Sequence, residues 1–183
     1  EIFEIILRSF VAVSLPILSK ASKENNLDLL TKTFYKATGV LTVLYIPLIV
    51  ICFIFADFFI LILGGEQYLD AAFIFRIFLV YGLFLPLDRF TGVTLDSINR
   101  PQANLVKVTF MVVANVVGDL IAIYWLNEVW AVAVVTINTV LVGVVMGMYF
   151  LNKKITLSYS KIIPVGASEI KLAVTKFLTK TNI

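Results

Sequence analysis

The sequence predicts an all-helical membrane protein, a bundle of about five transmembrane helices followed by a basic tail. Composition is the first reason: 60% of the 183 residues are hydrophobic and 15% are charged, against about 45–50% and about 25% in a globular domain. The second is run length, because the apolar residues collect in stretches close to the roughly 20 residues that cross a bilayer. The third is charge: connections that carry lysine or arginine alternate with connections that carry none.

The first stretch, Ile5–Leu18, is apolar but short and carries Arg8. It starts almost at Glu1, which is not a methionine, and is expected to be the end of a span that begins upstream. It lacks the basic flank and small-residue cleavage site of a signal peptide. Ala37–Leu63 has one charged residue, Asp57, and Ala71–Leu95 has three, Arg76, Asp88 and Arg89. Val108–Leu126 contains Asp119 alone, and Val129–Leu151 contains no charge. Membrane β-strands need about 9–11 residues of alternating polarity, whereas these runs are longer and apolar on every face. Pro47 and Pro86 lie inside spans, where proline kinks a helix. Gly143 and Gly147 form a small-residue step that lets helices approach closely.

The connections set the orientation. Ser19–Lys36 carries Lys20, Lys23, Lys32 and Lys36, whereas Gly64–Asp70 carries Glu66, Asp70 and no base. Asp96–Lys107 carries Arg100 and Lys107, Asn127-Glu128 carries no base, and lysines return after Asn152. The positive-inside rule then puts the basic connections and the C-terminus in the cytoplasm, with the protein multi-pass in the cytoplasmic membrane. Residues 1–151 form the transmembrane region and 152–183 a basic cytoplasmic tail. That tail holds six lysines against Glu169, a net of +5, so the net charge of +3 leaves −2 for the rest. The excess of base is therefore no reason to expect nucleic acid as a partner. Ile170, Ala173, Val174, Phe177 and Leu178 share a helical face flanked by lysines, the pattern of an amphipathic helix lying on an anionic leaflet. A loosely ordered tail is the alternative.

Several functions are excluded. Histidine is absent and Cys52 is the single cysteine, which removes disulfide frameworks, Cys/His metal sites and histidine acid–base chemistry. No glycine-rich phosphate loop, nucleophile elbow or paired carboxylates appear, so no catalytic residue, metal or cofactor is expected. What needs explaining is the intramembrane charge. Each ionised residue at a span centre costs about 2.5–3.5 kcal/mol, and each Leu, Ile, Phe or Val returns about 0.3–0.6 kcal/mol. Arg76 and Arg89 lie close enough to span ends to snorkel. Asp57, Arg76 and Asp119 fall at similar depth, and an Arg76–carboxylate contact between helices is one reading. Arg8 and Arg89 are the better candidates for an anion, while Asp57, Asp88 and Asp119 are candidates for pairing or for coupling to a cation. Structural pairing stands against substrate contact at each.

Three stretches carry a resemblance. "LPILSKAS" (Leu15–Ser22) closes a span, and "GGEQYLDAAFIFRIF" (Gly64–Phe78) sets Gly65, Tyr68, Ala71, Ala72 and Arg76 in order. "LDSINRPQANLVKV" (Leu95–Val108) forms a short basic connection. In that order, between spans of those lengths, the chain resembles the C-terminal half of polysaccharide flippases in the multidrug/oligosaccharidyl-lipid/polysaccharide exporter superfamily. The resemblance implies two helical lobes around a cavity that opens to either face in turn, with this chain as most of the second lobe. It implies a polyprenyl-linked saccharide as cargo, the lipid bilayer as surroundings, and a missing N-terminal lobe in the same chain or a partner chain. It also implies that Arg8, Arg89 and Arg76 screen the diphosphate or shape the cavity mouth, and that no enzymatic chemistry occurs. A cation-coupled multidrug antiporter lobe, using the three aspartates, is the alternative, and a membrane enzyme of cell-envelope polysaccharide synthesis is a further one.

Overall fold

A computed structural model describes residues 2–181, with side chains from Phe3 to Thr179. Glu1 and the Lys180 side chain, both counted in the charge pattern, lie outside the described residues. Helices α1 (Ile2–Lys23), α2 (Leu27–Ile54), α3 (Ala56–Gly64), α4 (Ala71–Ser97), α5 (Pro101–Ile121), α6 (Val129–Asn152) and α7 (Ile162–Thr181) follow one another, with no strand among the described residues. Five helical stretches are long and apolar enough to cross a membrane: Phe3–Lys23, Leu27–Ile54, Ala71–Ser97, Pro101–Leu126 and Val129–Asn152.

The reversals between spans share a device. Each turns on a residue with positive φ: Asn25 (51°), Gly65 (85°), Asn99 (58°) and Asn127 (50°). Glycine and asparagine are the residues that enter this region at least cost. At both basic turns the geometry repeats. The amide of Asn26 donates to the Ala21 carbonyl at 2.9 Å, and the amide of Arg100 to the Leu95 carbonyl at 2.9 Å. These six-to-one bonds close a Schellman end. Asn26 then caps α2 by accepting from the Leu29 amide at 2.9 Å, and Pro101 opens α5 at its first turn, where a missing N–H costs nothing.

Two element boundaries differ from those the hydropathy suggests. The polar stretch Ser19–Lys36 is helix except for a three-residue turn, because α1 and α2 continue past the apolar runs. Lysines are good helix formers, so polarity marks where a helix leaves lipid rather than where it ends. The run Ala37–Leu63 is two helices, broken at Phe55.

Helix α4 is central, packing on α6 most extensively and also on α2, α1, α3 and α5. On one side α5 and α6 complete a triplet with α4; on the other α1, α2 and α7 form a second group. Toward the basic turns Leu18, Leu30, Phe34, Leu95 and Leu151 are all at most 1% exposed, and farther along the helices Leu7, Tyr45 and Phe90 are as well. Toward the base-free end several buried positions are alanines: Ala56, Ala72, Ala122 and Ala131. Helix α5 is an edge, with Val112, Val113, Val116 and Val117 at least half exposed.

Residues 152–170 belong to this bundle. Asn152 accepts from the Leu157 amide at 2.7 Å, and the Tyr35 hydroxyl accepts from the Ser158 amide at 2.6 Å. Ile155, Leu157 and Ile162 enter the core. Helix α7 then crosses α2 where Gly39 meets Gly166, so closely that a Cβ on either would overlap the other's backbone. Lys36 and Glu169 pair one turn along, at 2.7 Å. Beyond Ile170 the described α7 side chains are exposed, Val174 and Leu178 among them.

Gly166→Leu should therefore release α7 while the five spans stay inserted. In a Cys52→Ala background, a cysteine at Ile162 should react with a maleimide roughly ten-fold faster in the Gly166→Leu variant, from an overpacking cost of about 1–3 kcal/mol. An unchanged rate would mean that the crossing does not hold the helix.

Candidate functional site

The break at Phe55 leaves the last carbonyls of α2 without the next turn's amides. Arg76, in the second turn of α4, fills that gap. Its Nε donates to the Phe53 carbonyl at 3.3 Å, and its Nη2 donates to and pairs with the Asp57 carboxylate in the first turn of α3. The guanidinium carbon lies 5.9 Å from the centre of the Phe53 ring. One arginine thus ties the end of α2 to the starts of α3 and α4, with its charge against the negative end of the α2 dipole. The Asp57 side chain is 61% exposed, so the ion pair itself contributes at most about 1 kcal/mol; its role is to fix geometry.

The second charged site is deeply buried and joins α4, α5 and α6. Lys107, on α5, is 2% exposed. Its Nζ stands 2.7 Å from Asp88 Oδ1, and it donates to the Asp88 carbonyl at 2.9 Å and to the Thr91 hydroxyl at 3.3 Å. The contact to Oδ1 is ionic without hydrogen-bond alignment, which leaves that oxygen without an aligned donor. The Thr91 hydroxyl donates in turn to the Asp88 carbonyl at 2.7 Å. Helix α6 makes room for all of this with two glycines. A Cβ at Gly143 would overlap Asp88 Oδ1 and the Met111 sulfur, and one at Gly147 would overlap the Thr91 hydroxyl. The small-residue step is close packing, and what it packs against is an ion pair.

The other predicted residues stand apart. Asp119 has a buried Oδ1 with no hydrogen-bond partner, and it joins neither the Arg76 nor the Lys107 cluster. Arg8 is exposed, its side chain at 79%, and its Nη2 donates to Glu4 one turn away at 2.8 Å. Arg89 is exposed on α4. By helical rise, Arg8 stands ~25 Å from the turn at Asn25 and Arg89 ~15 Å from the turn at Asn99. Among the described residues no group of three or more His, Cys, Asp and Glu side chains gathers to hold a metal ion.

Sequence reasoning missed Lys107, because a lysine seven residues after Arg100 was counted with the turn. The signal was there in Pro101. Proline in the first turn starts the helix, which sets Lys107 nearly two turns inside α5 and too deep to reach water.

Five helices long and apolar enough to cross a membrane, with ion pairs between them, define a polytopic membrane protein. Residues 2–73, from α1 into the first turn of α4, match a family model described as polysaccharide biosynthesis protein. No curated protein and no solved structure matches the chain.

Lys107→Met should destabilise the bundle by about 3–5 kcal/mol, since Asp88 would be left buried and uncompensated, and adding Asp88→Leu should restore most of the loss. Arg76→Ala should cost about 1 kcal/mol or less. Unfolding in mild detergent reads all three; equal losses for Lys107→Met and Arg76→Ala would contradict the assignment.

Proposed function

We propose that the chain is one lobe of a membrane transporter that moves lipid-linked oligosaccharide or polysaccharide precursors across the cytoplasmic membrane, without covalent chemistry. The observation that carries the reading is the exposure of Arg8 and Arg89 within the spans α1 and α4. A guanidinium facing lipid costs about 2.5–3.5 kcal/mol at a span centre, and less where it snorkels toward a span end, as Arg89 can. A watery cavity or a second lobe opposite them removes that cost. Glu4 pairs with Arg8, and no ion pair involves Arg89 among the described residues.

The family match over residues 2–73 supports the substrate class. A saccharide on a polyprenyl diphosphate needs its anionic part screened as it crosses, and arginine does this with paired, charge-assisted donors. The five-helix bundle forms one wall of the path, and the facing wall belongs to a second lobe, in the same polypeptide or in another chain. The basic turns and α7 lie on the cytoplasmic side.

A cation-coupled antiporter lobe is the second reading, and Asp119 favours it. Coupling needs a carboxylate free to take up a proton or sodium ion. Asp57 is engaged by Arg76 and Asp88 by Lys107, whereas Asp119 keeps a buried oxygen without a partner.

Arg8→Ala and Arg89→Ala should each lower saccharide export by roughly ten-fold or more, the scale of a lost charge-assisted contact, at unchanged membrane abundance. Export undiminished with both replaced would sink the cavity assignment. Asp119→Asn should leave saccharide export unchanged; its loss, together with loss of pH or sodium dependence, would transfer the case to the second reading.

A further inference from the structure

A groove of about 790 Å³ lies between α1, α2 and α7, separate from both charged sites. Phe10, Val13 and Ile17 line it from α1, and Val165 and Ala173 from α7. Along α2 its lining runs from Leu29 to Val40, eleven residues or ~16 Å of helix. That stretch runs from the polar level of Lys32 and Lys36 into the apolar run that begins at Ala37, the depth at which a head group meets the start of its acyl chains. The volume is in the range of about 300–1,000 Å³ usual for ligand sites. Val13 is 69% exposed and Ile17 42%, so the groove opens sideways into the layer that the spans occupy.

Its two ends differ in charge. The deep end, around Phe10 and Val40, carries no base. The end near the α1–α2 turn carries Lys32 and Lys36. Glu169 of α7 neutralises Lys36 at 2.7 Å, but Lys32 takes part in none of the ion pairs. An apolar slot at the edge of the hydrocarbon, open to the bilayer and headed by one uncompensated ammonium, is complementary to one class of molecule. We propose that the groove holds an anionic phospholipid of the leaflet on the side of the basic turns, with an acyl chain against Phe10, Val13 and Val165 and its phosphate at Lys32. The Gly39–Gly166 crossing is what brings α7 close enough to wall the slot. The bound lipid would then pin α7 to α1, two helices with no protein contact between them extensive enough to do so.

This site goes beyond the transport reading and does not depend on it, since it needs only that α1 and α2 cross the membrane. The test is native mass spectrometry of the full chain, released from micelles holding phosphatidylglycerol and phosphatidylcholine in equal amounts. One phosphatidylglycerol should be retained per chain, in about five-fold preference over phosphatidylcholine, the worth of one lysine at an anionic surface. Lys32→Gln should bring the two lipids level, and Val13→Trp, which fills the slot, should lower retention of both. Should Lys32→Gln fail to insert, Thr33→Asp beside the same rim makes the same test and should also abolish the preference. Equal retention by the native chain, or a preference that survives both rim substitutions, would overturn the proposal. So would displacement of the lipid by polyprenyl phosphate but not by excess phosphatidylglycerol, which would assign the slot to the cargo. Export undiminished in the Arg8→Ala, Arg89→Ala double variant, with lipid retention intact, would instead count against the transport reading alone.

Discussion

Lys107 carries its charge into the middle of three helices, and the arrangement of the α4–α5–α6 triplet follows from what that charge requires. An ammonium at 2% exposure has no water, so its donors must end on protein oxygens. They end on the Asp88 carbonyl and the Thr91 hydroxyl, with the Asp88 carboxylate alongside. Two oxygens and a carboxylate need space, and α6 yields it through Gly143 and Gly147. The contact of α4 with α6 is the most extensive in the molecule, and its floor is this polar cluster. Hydrophobic attraction between helices is weak in lipid, so a satisfied polar contact decides which faces meet.

The same requirement sorts the remaining charges. Arg76 lies near the base-free end and is satisfied at the broken end of α2, by a carbonyl and by Asp57. Arg8 and Arg89 are turned outward. Buried charges hold the bundle together, and on the proposed reading the displayed ones face the transport path. The groove under α7 adds a third case, a single lysine at the level where anionic head groups lie.

Much of the architecture was legible because lipid imposes long-range order on a sequence. Run length located four spans and the end of a fifth, which the structure shows as Phe3–Lys23, and the alternation of basic and base-free connections located their reversals. The four residues with positive φ were also readable, since asparagine or glycine stands at each turn, although hydropathy alone does not single them out. Three features were not legible. The break at Phe55 has no proline or glycine to announce it, and it stands because Arg76, 21 residues later in the sequence, caps the broken end. Lys107 looked like a loop residue because charge was read as a sign of water. The docking of α7 depends on Gly39 and Gly166, 127 positions apart, each unremarkable in its own helix. In all three the determinant is a contact between distant positions, which periodicity does not encode. The charged side chains divide the same way: depth along the spans already made Asp57 and Asp119 the candidate partners of Arg76, and the fold selects Asp57, but that Lys107 engages Asp88 required the fold.

The account depends most on the claim that the α1–α4 face bearing Arg8 and Arg89 meets water inside the membrane. Spin labels at Ala12 on α1, Phe78 on α4 and Val113 on α5, read in the intact membrane for collision with a water-soluble nickel complex and with oxygen, test it directly. Ala12 lies one turn from Arg8, Phe78 lies on the Arg89 side of its helix, and Val113 lies on the exposed apolar face of α5. The account predicts high nickel and low oxygen collision at Ala12 and Phe78, with the reverse at Val113. An oxygen-rich, nickel-poor signal at all three positions would place the arginine face in lipid and contradict it.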